Sequence, residues 1–514
     1  MDAEEFRKRG REMVDYIANY LENIRERDVV HKVSPGYLRD LLPEEPPRDP
    51  ENFDEVFKDI ERVIMPGITH WHSPYFHGYF APGSSYPSIL GDMLSDAIGC
   101  IGFSWVTSPA CTELEVTTTD WLGKMIGLPE QFLHCSEGPG GGVIQSTASE
   151  TVLLCLLAAR TRTVKKYKEE NPEMDEVEIM SKLVGYCSTQ ANSSVERSGL
   201  LGAVKMVKLI PDDNHSVRGE TLRQAIKRDK EKGRIPFFMC ATLGTTGTCS
   251  FDNLSEIGPI CEEEGMWLHV DAAYAGSAFI CPEFRKYMLG IEYADTLSIN
   301  PHKWMLINFD LSVMWIKDST LLVDAFNVDP VYLKHNNQGK VPDYRHWQIP
   351  LGRRFRSLKL WFTLRSYGVS GVQSYIRKHV NLAKLFEKLV REDGRFEIVA
   401  EVVMGLVCFR IKGPNELTEK LMEEIIDDKR IFLIPALDKN VYFLRLAVCA
   451  ERTNSRDIEY SFSVIRDCTN NVLALACHSK SIKKSSPVID INQQPLHDKH
   501  QQYSDEESNI LFAE

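Results

Sequence analysis

Lys303 is the residue whose surroundings most favour covalent chemistry. It lies in SINPHKW, residues 298–304, beside His302 and among apolar side chains that follow a strand-like run. Burial among such neighbours lowers the pKa of an amine, and an uncharged amine can act as a nucleophile or form a Schiff base. The alternative is a lysine on a surface turn, where most lysines lie. On this pattern alone both readings stay open.

An aspartate ends a second informative run. In LHVDAAYAG, residues 268–276, Asp271 closes an apolar stretch typical of a buried strand. Folds of the α/β class bind their ligands at the C-terminal ends of strands, and a carboxylate buried there needs a cationic partner. A protonated pyridine nitrogen is one such partner, because an ionised aspartate keeps the ring protonated and electron-withdrawing. The alternative is an aspartate that caps the following turn.

Glycines and hydroxyl residues precede an apolar helix-like run in EGPGGGVIQSTASE, residues 137–150. Ser146, Thr147, Ala148 and Ser149 stand where that helix would begin. Hydroxyls and free N–H groups at a helix N-terminus bind phosphate. The segment has neither the GK[ST] of a P-loop nor GxGxxG, and a glycine-rich turn before a helix is commonly only a turn. A further Gly/Thr-rich strand end, ATLGTTGT, spans residues 241–248.

The three features are far more specific together than apart. A phosphate cup, a ring-nitrogen aspartate and a Schiff-base lysine follow one another in the chain, with Lys303 placed 32 residues after Asp271. These are the contacts that pyridoxal 5′-phosphate (PLP) requires. The sequence contains no GxSxG, HExxH or GxGxxG motif. The nearest metal-like pair is His70-x-His72, and we do not expect it to bind a metal.

Composition excludes several other classes of protein. The chain has 514 residues and a net charge of −13, from 60 Lys+Arg and 73 Asp+Glu, whereas duplex-binding proteins normally have the opposite bias. No apolar run approaches the ~20 residues that span a bilayer, and the start MDAEEFRKRG lacks the apolar core of a signal peptide. The 13 cysteines form no CxxC pair, which favours free thiols in a reducing cytosol. We therefore expect a cytoplasmic protein.

Short apolar or β-branched runs alternate with helical patterns over residues 86–355. This alternation predicts a large α/β domain with a mainly parallel sheet. The strand-like runs are VGYCST (184–189), FFMCATLG (237–244), MWLHVDAAY (266–274) and LSVMWI (311–316), and the helical runs are 151–168, 218–232 and 254–264. A smaller α+β unit is predicted over residues 356–478.

The two ends of the chain are predicted to be different in character. Residues 1–85 form a predicted helical arm, with apolar residues at helical spacing: Met13, Ile17, Tyr20, Leu21 and Ile24. Such an arm buries little on its own, so we expect it to pack on a partner subunit. Residues 479–514 are polar and almost without aromatic residues, which predicts a disordered tail.

The chain resembles the PLP-dependent aromatic L-amino acid decarboxylase family (group II decarboxylases) over roughly residues 1–478. The resemblance rests on HWHSPYF, IGFSW, SPACTELE, GGGVIQ, ATLGTTGT, HVDAAYAG, NPHKW and DYRHWQIPLGRRFR. It implies the aminotransferase-like fold type I, an obligate homodimer with shared active sites, and an arm that wraps around the partner.

The resemblance also implies roles for the residues that would bind the cofactor. Lys303 would form the Schiff base and Asp271 would hold the pyridine nitrogen. The phosphate would be bound by Ala148, Ser149 and Asn300, with Thr246 near the cofactor and His302 flanking it.

A second set of residues would bind the substrate by the same resemblance. Tyr79 and Phe80 would line the substrate pocket, together with Ile101 and Phe103 from the neighbouring subunit. Tyr332, in the polar stretch VYLKHNNQGK, would lie on a mobile catalytic loop.

Asn192 departs from the decarboxylase pattern, which has at this place a histidine that stacks on the cofactor and handles a proton. Asparagine here resembles the insect 3,4-dihydroxyphenylacetaldehyde synthases, which decarboxylate and oxidatively deaminate L-DOPA. Imidazole titrates near neutrality and can deliver a proton, whereas a carboxamide cannot. When protonation of the α-carbon is slow, the electron-rich species that is left after CO2 departs persists and can pass electrons to O2. We therefore expect L-DOPA and O2 to give the aldehyde, CO2, NH3 and H2O2, in cuticle chemistry by analogy.

Two other functions remain open. If Asn192 is a tolerated substitution and Tyr332 still supplies the proton, the protein is a plain L-DOPA decarboxylase that makes dopamine. A catalytically idle scaffold that acts through its polar tail is the other hypothesis, and the intact Lys303, Asp271 and Thr246 set argues against it. A second departure, Ala81-Pro82 where the decarboxylases usually have Pro-Thr, leaves the preference among aromatic substrates undecided.

Overall fold

The computed structural model describes residues 1–328, 330–337 and 339–484, with side chains as far as residue 476. The last helix extends to Lys484, beyond the predicted start of the polar tail. The rest of that predicted tail, 485–514, lies outside the described residues. The division into four segments proposed from the sequence stays a prediction.

Seven strands form the central sheet, in the spatial order β1-β7-β6-β5-β4-β2-β3. They are β1 (Gly141–Gln145), β2 (Leu183–Ser188), β3 (Lys205–Leu209), β4 (Ile235–Thr242), β5 (Trp267–Asp271), β6 (Thr296–Ile299) and β7 (Ser312–Ile316). β7 runs antiparallel to β1 and β6, and the remaining pairs are parallel. The predicted fold class, a mainly parallel α/β sheet of the fold type I kind, is confirmed.

Both faces of this sheet are covered, which explains the near-continuous apolar runs of its strands. In β2, Val184 and Tyr186 join the core on one face, while Leu183 and Cys187 join the core on the other. The helices of this part of the chain are α4 (Tyr86–Ile98), α5 (Pro109–Ile126), α6 (Ala148–Glu170), α7 (Glu176–Lys182), α8 (Ser193–Leu201), α9 (Gly219–Lys230), α10 (Leu254–Glu263), α11 (Pro301–Trp304) and α12 (Thr320–Phe326).

A second, antiparallel sheet lies in the C-terminal part of the chain, in the order β10-β11-β9-β8. Its strands are β8 (Phe396–Ile398), β9 (Leu406–Ile411), β10 (Ile434–Asp438) and β11 (Val441–Ala447). It packs with α13 (Ser357–Glu392, interrupted at Gly368), α14 (Asn415–Asp428) and α15 (Ser455–Lys484) around a separate apolar core. The hairpin β10–β11 turns through Lys439 and Asn440, which both have positive φ as a tight two-residue turn requires.

Three α-helices precede the α/β domain: α1 (Ala3–Glu22), α2 (Tyr37–Leu41) and α3 (Phe53–Asp59). Asp2 caps α1 by accepting the N–H groups of Glu4 and Glu5, and Arg9 joins α1 to Asp54 of α3. Among the residues that the structure describes, no helix combines the length and the apolar character that crossing a membrane requires.

Candidate active site

A cavity of about 240 Å³ opens at the C-terminal ends of β4, β5 and β6. Thr242, Asp271 and Ser298 lie in register at these strand ends, so residues that follow different strands meet there. The side chains around the cavity include Phe80, Thr147, Ala148, Ser149, Asn192, Thr246, Asp271, Tyr274, Asn300, His302 and Lys303. All six residues predicted to bind the cofactor line this one cavity.

Lys303 and Asp271 line the same cavity, and the charge of each shifts the pKa of the other. Lys303 lies on the short helix α11, one residue after His302, and Asp271 ends β5 with only 4% of its surface exposed. Burial lowers the pKa of Lys303. The negative charge of Asp271 raises this pKa, and the positive charge of Arg445 lowers it. Burial likewise raises the pKa of Asp271, and Lys303 lowers it. A lysine whose pKa is lowered can supply an uncharged amine near neutral pH.

The predicted phosphate cup is the start of α6. β1 leads through Ser146 into Thr147, whose hydroxyl oxygen caps the helix by accepting the N–H of Glu150. The first N–H groups of a helix have no partner within it, and the helix dipole adds positive charge there. Asn300 also lines the cavity and is held by Ser312, whose hydroxyl donates to its Oδ1 over 2.7 Å.

Changing Ser149 to aspartate separates folding from cofactor binding. An acidic residue in the first turn of a helix is compatible with the helix dipole, so we expect the apoprotein to unfold at an unchanged or higher temperature. The same charge repels a phosphate, so we expect PLP affinity to fall by about 100-fold, while Ser149→Ala loses about tenfold at most. Fluorescence titration of the apoprotein measures the affinity. Wild-type affinity in the aspartate variant would place the phosphate elsewhere.

Asn192 is held on both sides of its amide. Its Oδ1 accepts the N–H of Ser194 over 3.0 Å, which makes Asn192 the N-cap of α8, and its Nδ2 donates to Thr246 Oγ1 over 3.1 Å. Asparagine is among the best N-caps. The residue therefore has a structural role as well as a place in the cavity wall.

His302 is buried and has a fixed orientation. Its Nδ1 accepts the N–H of Leu311 over 3.1 Å, and burial lowers the pKa of its imidazole to about 3. The ring is therefore neutral at physiological pH and offers an N–H rather than a charge. Its carbonyl accepts the N–H of Gly83, two residues after Ala81, over 2.6 Å.

An aromatic column, of which only Phe80 was predicted from the sequence, supports the cavity. Phe80 stacks on Tyr274 with ring centroids 3.6 Å apart, and Tyr274 stacks on Trp304 at 4.7 Å. Arg445, from β11, lies 5.2 Å above the ring of Phe80 and donates from Nε to the carbonyl of Gly247. Tyr274 and Trp304 lie within the motifs HVDAAYAG and NPHKW, so their closeness in sequence to Asp271 and Lys303 could have indicated them. No motif in the sequence around Arg445 indicates its place near the cavity.

Four predicted residues lie outside this cavity. Tyr79 is 47% exposed and stacks on Trp71, and Tyr332 is 81% exposed. Ile101 is 55% exposed and lines a different cavity of about 690 Å³, while the carbonyl of the half-buried Phe103 accepts the N–H of Arg345. The placement of Ile101 and Phe103 in a partner's pocket stays a prediction.

An amine-bearing side chain, a buried carboxylate and a helix N-terminus around one cavity of a fold type I sheet define the class of PLP-dependent enzymes. The chain belongs to the pyridoxal-dependent decarboxylase family, because the family model described as "Pyridoxal-dependent decarboxylase conserved domain" matches residues 35–412. Its cofactor is PLP.

Individual relatives are similar over nearly their whole length. The aromatic-L-amino-acid decarboxylase of Mus musculus is 58% identical and is aligned over 92% of this chain and 99% of its own. That of Drosophila melanogaster is 59% identical over 90% of this chain and 91% of its own. The crystal structure of Catharanthus roseus tryptophan decarboxylase with L-tryptophan is 41% identical, covering 92% of this chain and 99% of that one, with a TM-score of 0.86.

The prediction of an O2-consuming aldehyde synthase is wrong. The mouse and fruit fly relatives, at 58% and 59% identity, are both aromatic-L-amino-acid decarboxylases, which supports the plain decarboxylase that the sequence left as the alternative. The error came from assigning the reaction on one position. The amide of Asn192 caps α8 and bonds Thr246, and these structural contacts do not depend on the reaction.

Proposed function

We propose that this protein decarboxylates aromatic L-amino acids, L-DOPA among them, to CO2 and the corresponding amine. The observation that carries the proposal is the single cavity that Lys303, Asp271 and the N-terminus of α6 share. The relatives at 58% and 59% identity support the choice of decarboxylation among the reactions that PLP serves.

Each of these residues has a distinct task in the proposal. The chemistry that PLP would supply when bound is an acceptor for the electron pair left as the bond between Cα and the carboxylate breaks. Lys303 would hold the cofactor through its uncharged amine, and Asp271 would offer a negative charge to the ring nitrogen. Ala148 and Ser149 would hold the phosphate with the N–H groups of the first turn of α6.

The proton that Cα takes up after CO2 leaves needs a donor. Asn192 does not titrate near neutral pH. The imidazole of His302, with a pKa of about 3, is neutral there and has no acidic proton to donate. We propose the hydroxyl of Tyr332 as this donor. Tyr332 is 81% exposed and does not line the cavity, so this proposal requires its segment to move toward an active site for the step.

We also propose that the protein is a homodimer. Leu90, Leu94 and Ile98 follow one another at helical spacing on α4 and are between 44% and 51% exposed. Ile101 and Val106, in the segment after this helix, are 55% and 58% exposed. An apolar row of this kind on one helix face is typical of a surface that a second subunit covers.

The proposed reaction is tested by its dependence on O2. We expect the PLP-loaded protein to release CO2 from L-DOPA at the same rate in air and under nitrogen, with one dopamine formed for each CO2. Running the assay in both gases separates the enzyme reaction from the autoxidation of catechols, and L-tryptophan provides a substrate without a catechol. Release of CO2 that stops under nitrogen, with peroxide formed in air, would contradict plain decarboxylation.

A further inference from the structure

A carboxylate of the C-terminal sheet binds a side chain that lies two residues from Asn192 in the cavity wall. Asp438 ends β10 at the tip of the hairpin β10–β11. Its Oδ1 accepts the side-chain amide of Gln190 over 2.6 Å, and its Oδ2 lies 2.9 Å from Nδ1 of His215. The side chains of Asp438 and His215 are only 12% and 13% exposed, so water screens these contacts little.

Gln190 connects this carboxylate to the cavity. It stands two residues before Asn192, whose amide donates to Thr246 Oγ1 over 3.1 Å. Oε1 of Gln190 lies 3.1 Å from the position that a Cβ atom on Gly247 would occupy. Gln190 therefore packs closely against the turn that carries Thr246. Gln190 is thus close in sequence to Asn192 and packs against Gly247, the residue next to Thr246.

The same turn is also held by two other strands of the C-terminal sheet, β9 and β11. The carbonyl of Gly247 accepts the Nε–H of Arg445 over 3.0 Å and lies 3.4 Å from Sγ of Cys408. The Thr246–Gly247 turn is thus contacted by Cys408 of β9 and Arg445 of β11, and by Gln190, which binds Asp438 of β10.

We propose that Asp438 is a positioning residue for the cofactor site: through Gln190 it fixes the Asn192–Thr246 wall against the cofactor. An ionised carboxylate is a strong acceptor for an amide N–H, and the second oxygen of Asp438 lies against the imidazole of His215. The inference rests on the proposed assignment of this cavity to PLP, and it holds whichever aromatic amino acid is decarboxylated.

The hairpin turn offers a matched control. Lys439, the next residue, pairs with Asp213 over 3.0 Å, and these side chains are 45% and 106% exposed. An exposed pair of this kind contributes little to stability. Lys439→Ala therefore removes a contact between the same two parts of the chain without touching Gln190.

The test compares PLP affinity of the apoproteins, measured by fluorescence titration, with kcat and KM of the loaded enzymes. Asp438→Ala should weaken PLP binding about tenfold and lower kcat with little change in KM for L-DOPA. Asp438→Asn keeps an acceptor for Gln190 and should recover most of the affinity, and Lys439→Ala should match the wild type.

Several outcomes would overturn the proposal. They are wild-type PLP affinity in Asp438→Ala, an equal loss in Lys439→Ala, or no recovery in Asp438→Asn. If Asp438→Ala does not fold, Gln190→Met removes the same link from the other side and should show the same loss of affinity. Wild-type protein that fails to bind PLP at all would instead reject the assignment of the cavity.

Discussion

The Lys303→Ala variant is expected to lose turnover of L-DOPA by a factor of about 10³ or more, and with it the visible absorbance of lysine-bound PLP. The amine is the one group lining the described cavity that can bond the aldehyde of the cofactor. Removing it leaves the contacts at α6 and Asp271, so the variant should still bind PLP noncovalently and more weakly.

Burial alone does not single out Lys303. Lys359 is also buried, and burial lowers its pKa as well. The ammonium group of Lys359, however, donates to Asp92 over 3.0 Å and to the carbonyl of Asn308 over 3.1 Å, which is the arrangement of a structural ion pair. The prediction for Lys303 therefore rests on its position in the cavity with Asp271.

The measurement combines activity with a chemical readout. Reduction with borohydride fixes PLP to the lysine that holds it, and mass spectrometry of the digested protein should find the added mass on the peptide that contains Lys303. Lys165→Ala, which removes a lysine whose side chain is 63% exposed, serves as the control and should keep both activity and label. Labelling of another lysine in Lys303→Ala with activity retained would refute the assignment.

Much of the α/β domain could be predicted because its strands are buried on both faces. The runs at 184–189, 237–244, 266–274 and 311–316 correspond to β2, β4, β5 and β7 within a few residues. The meeting of Asp271 and Lys303 followed from a general rule, since strands close in sequence tend to lie side by side, and their C-terminal ends share one edge. The structure places β5 next to β6, the strand that leads to Lys303.

The sequence did not predict β1, because glycine occurs both in turns and in strands that other elements approach closely. The segment around Gly141 and Gly142 suggested a turn, but both residues lie in a fully buried strand. A side chain on Gly142 would come within 2.6 Å of Thr119, and one on Gly141 would overlap His134. These glycines therefore permit close packing, and only the neighbouring elements reveal it.

Contacts between residues that are far apart in the sequence could not be predicted from local sequence patterns either. Gln190 and Asp438 are 248 residues apart, and no periodicity or motif relates them. Arg445 reaches Phe80 from a strand of the other sheet. Such contacts depend on how two sheets dock, which is set by the whole packing rather than by any one segment.

The second large effect is expected for Asp271→Asn, which should keep lysine-bound PLP yet lower kcat by about 10³-fold. Asparagine preserves the shape and the acceptor for the N–H of Ala273, which Oδ1 of Asp271 accepts over 3.0 Å. It removes the negative charge that would keep the ring nitrogen protonated. Because Asp271 raises the pKa of Lys303, its loss lowers that pKa further and favours the uncharged amine.

A control at another buried aspartate separates this electronic effect from a loss of stability. Asp252 lies near the same strand ends, where its carboxylate accepts the N–H groups of Val217 and Thr242 over 2.9 and 2.8 Å. Burial raises the pKa of Asp252 to about 7. Its folded pKa lies above the unfolded value, so its contribution to stability is present at low pH and decreases as the pH rises from about 4 to 7. Asp252→Asn should remove this pH dependence and lower stability by about 1–3 kcal/mol, because its Nδ2 cannot accept the second of these N–H groups, while kcat stays near the wild-type value.

A cofactor analogue decides between the two explanations of a slow Asp271→Asn enzyme. PLP methylated on its ring nitrogen carries a permanent positive charge and needs no aspartate to keep it. If the lost charge of Asp271 is the cause, this analogue should restore part of the activity of Asp271→Asn, measured as CO2 release. The wild type should gain nothing from it, because its carboxylate already keeps the ring charged. An Asp271→Asn enzyme that stays equally slow with both cofactors would mean that Asp271 acts through packing and not through its charge.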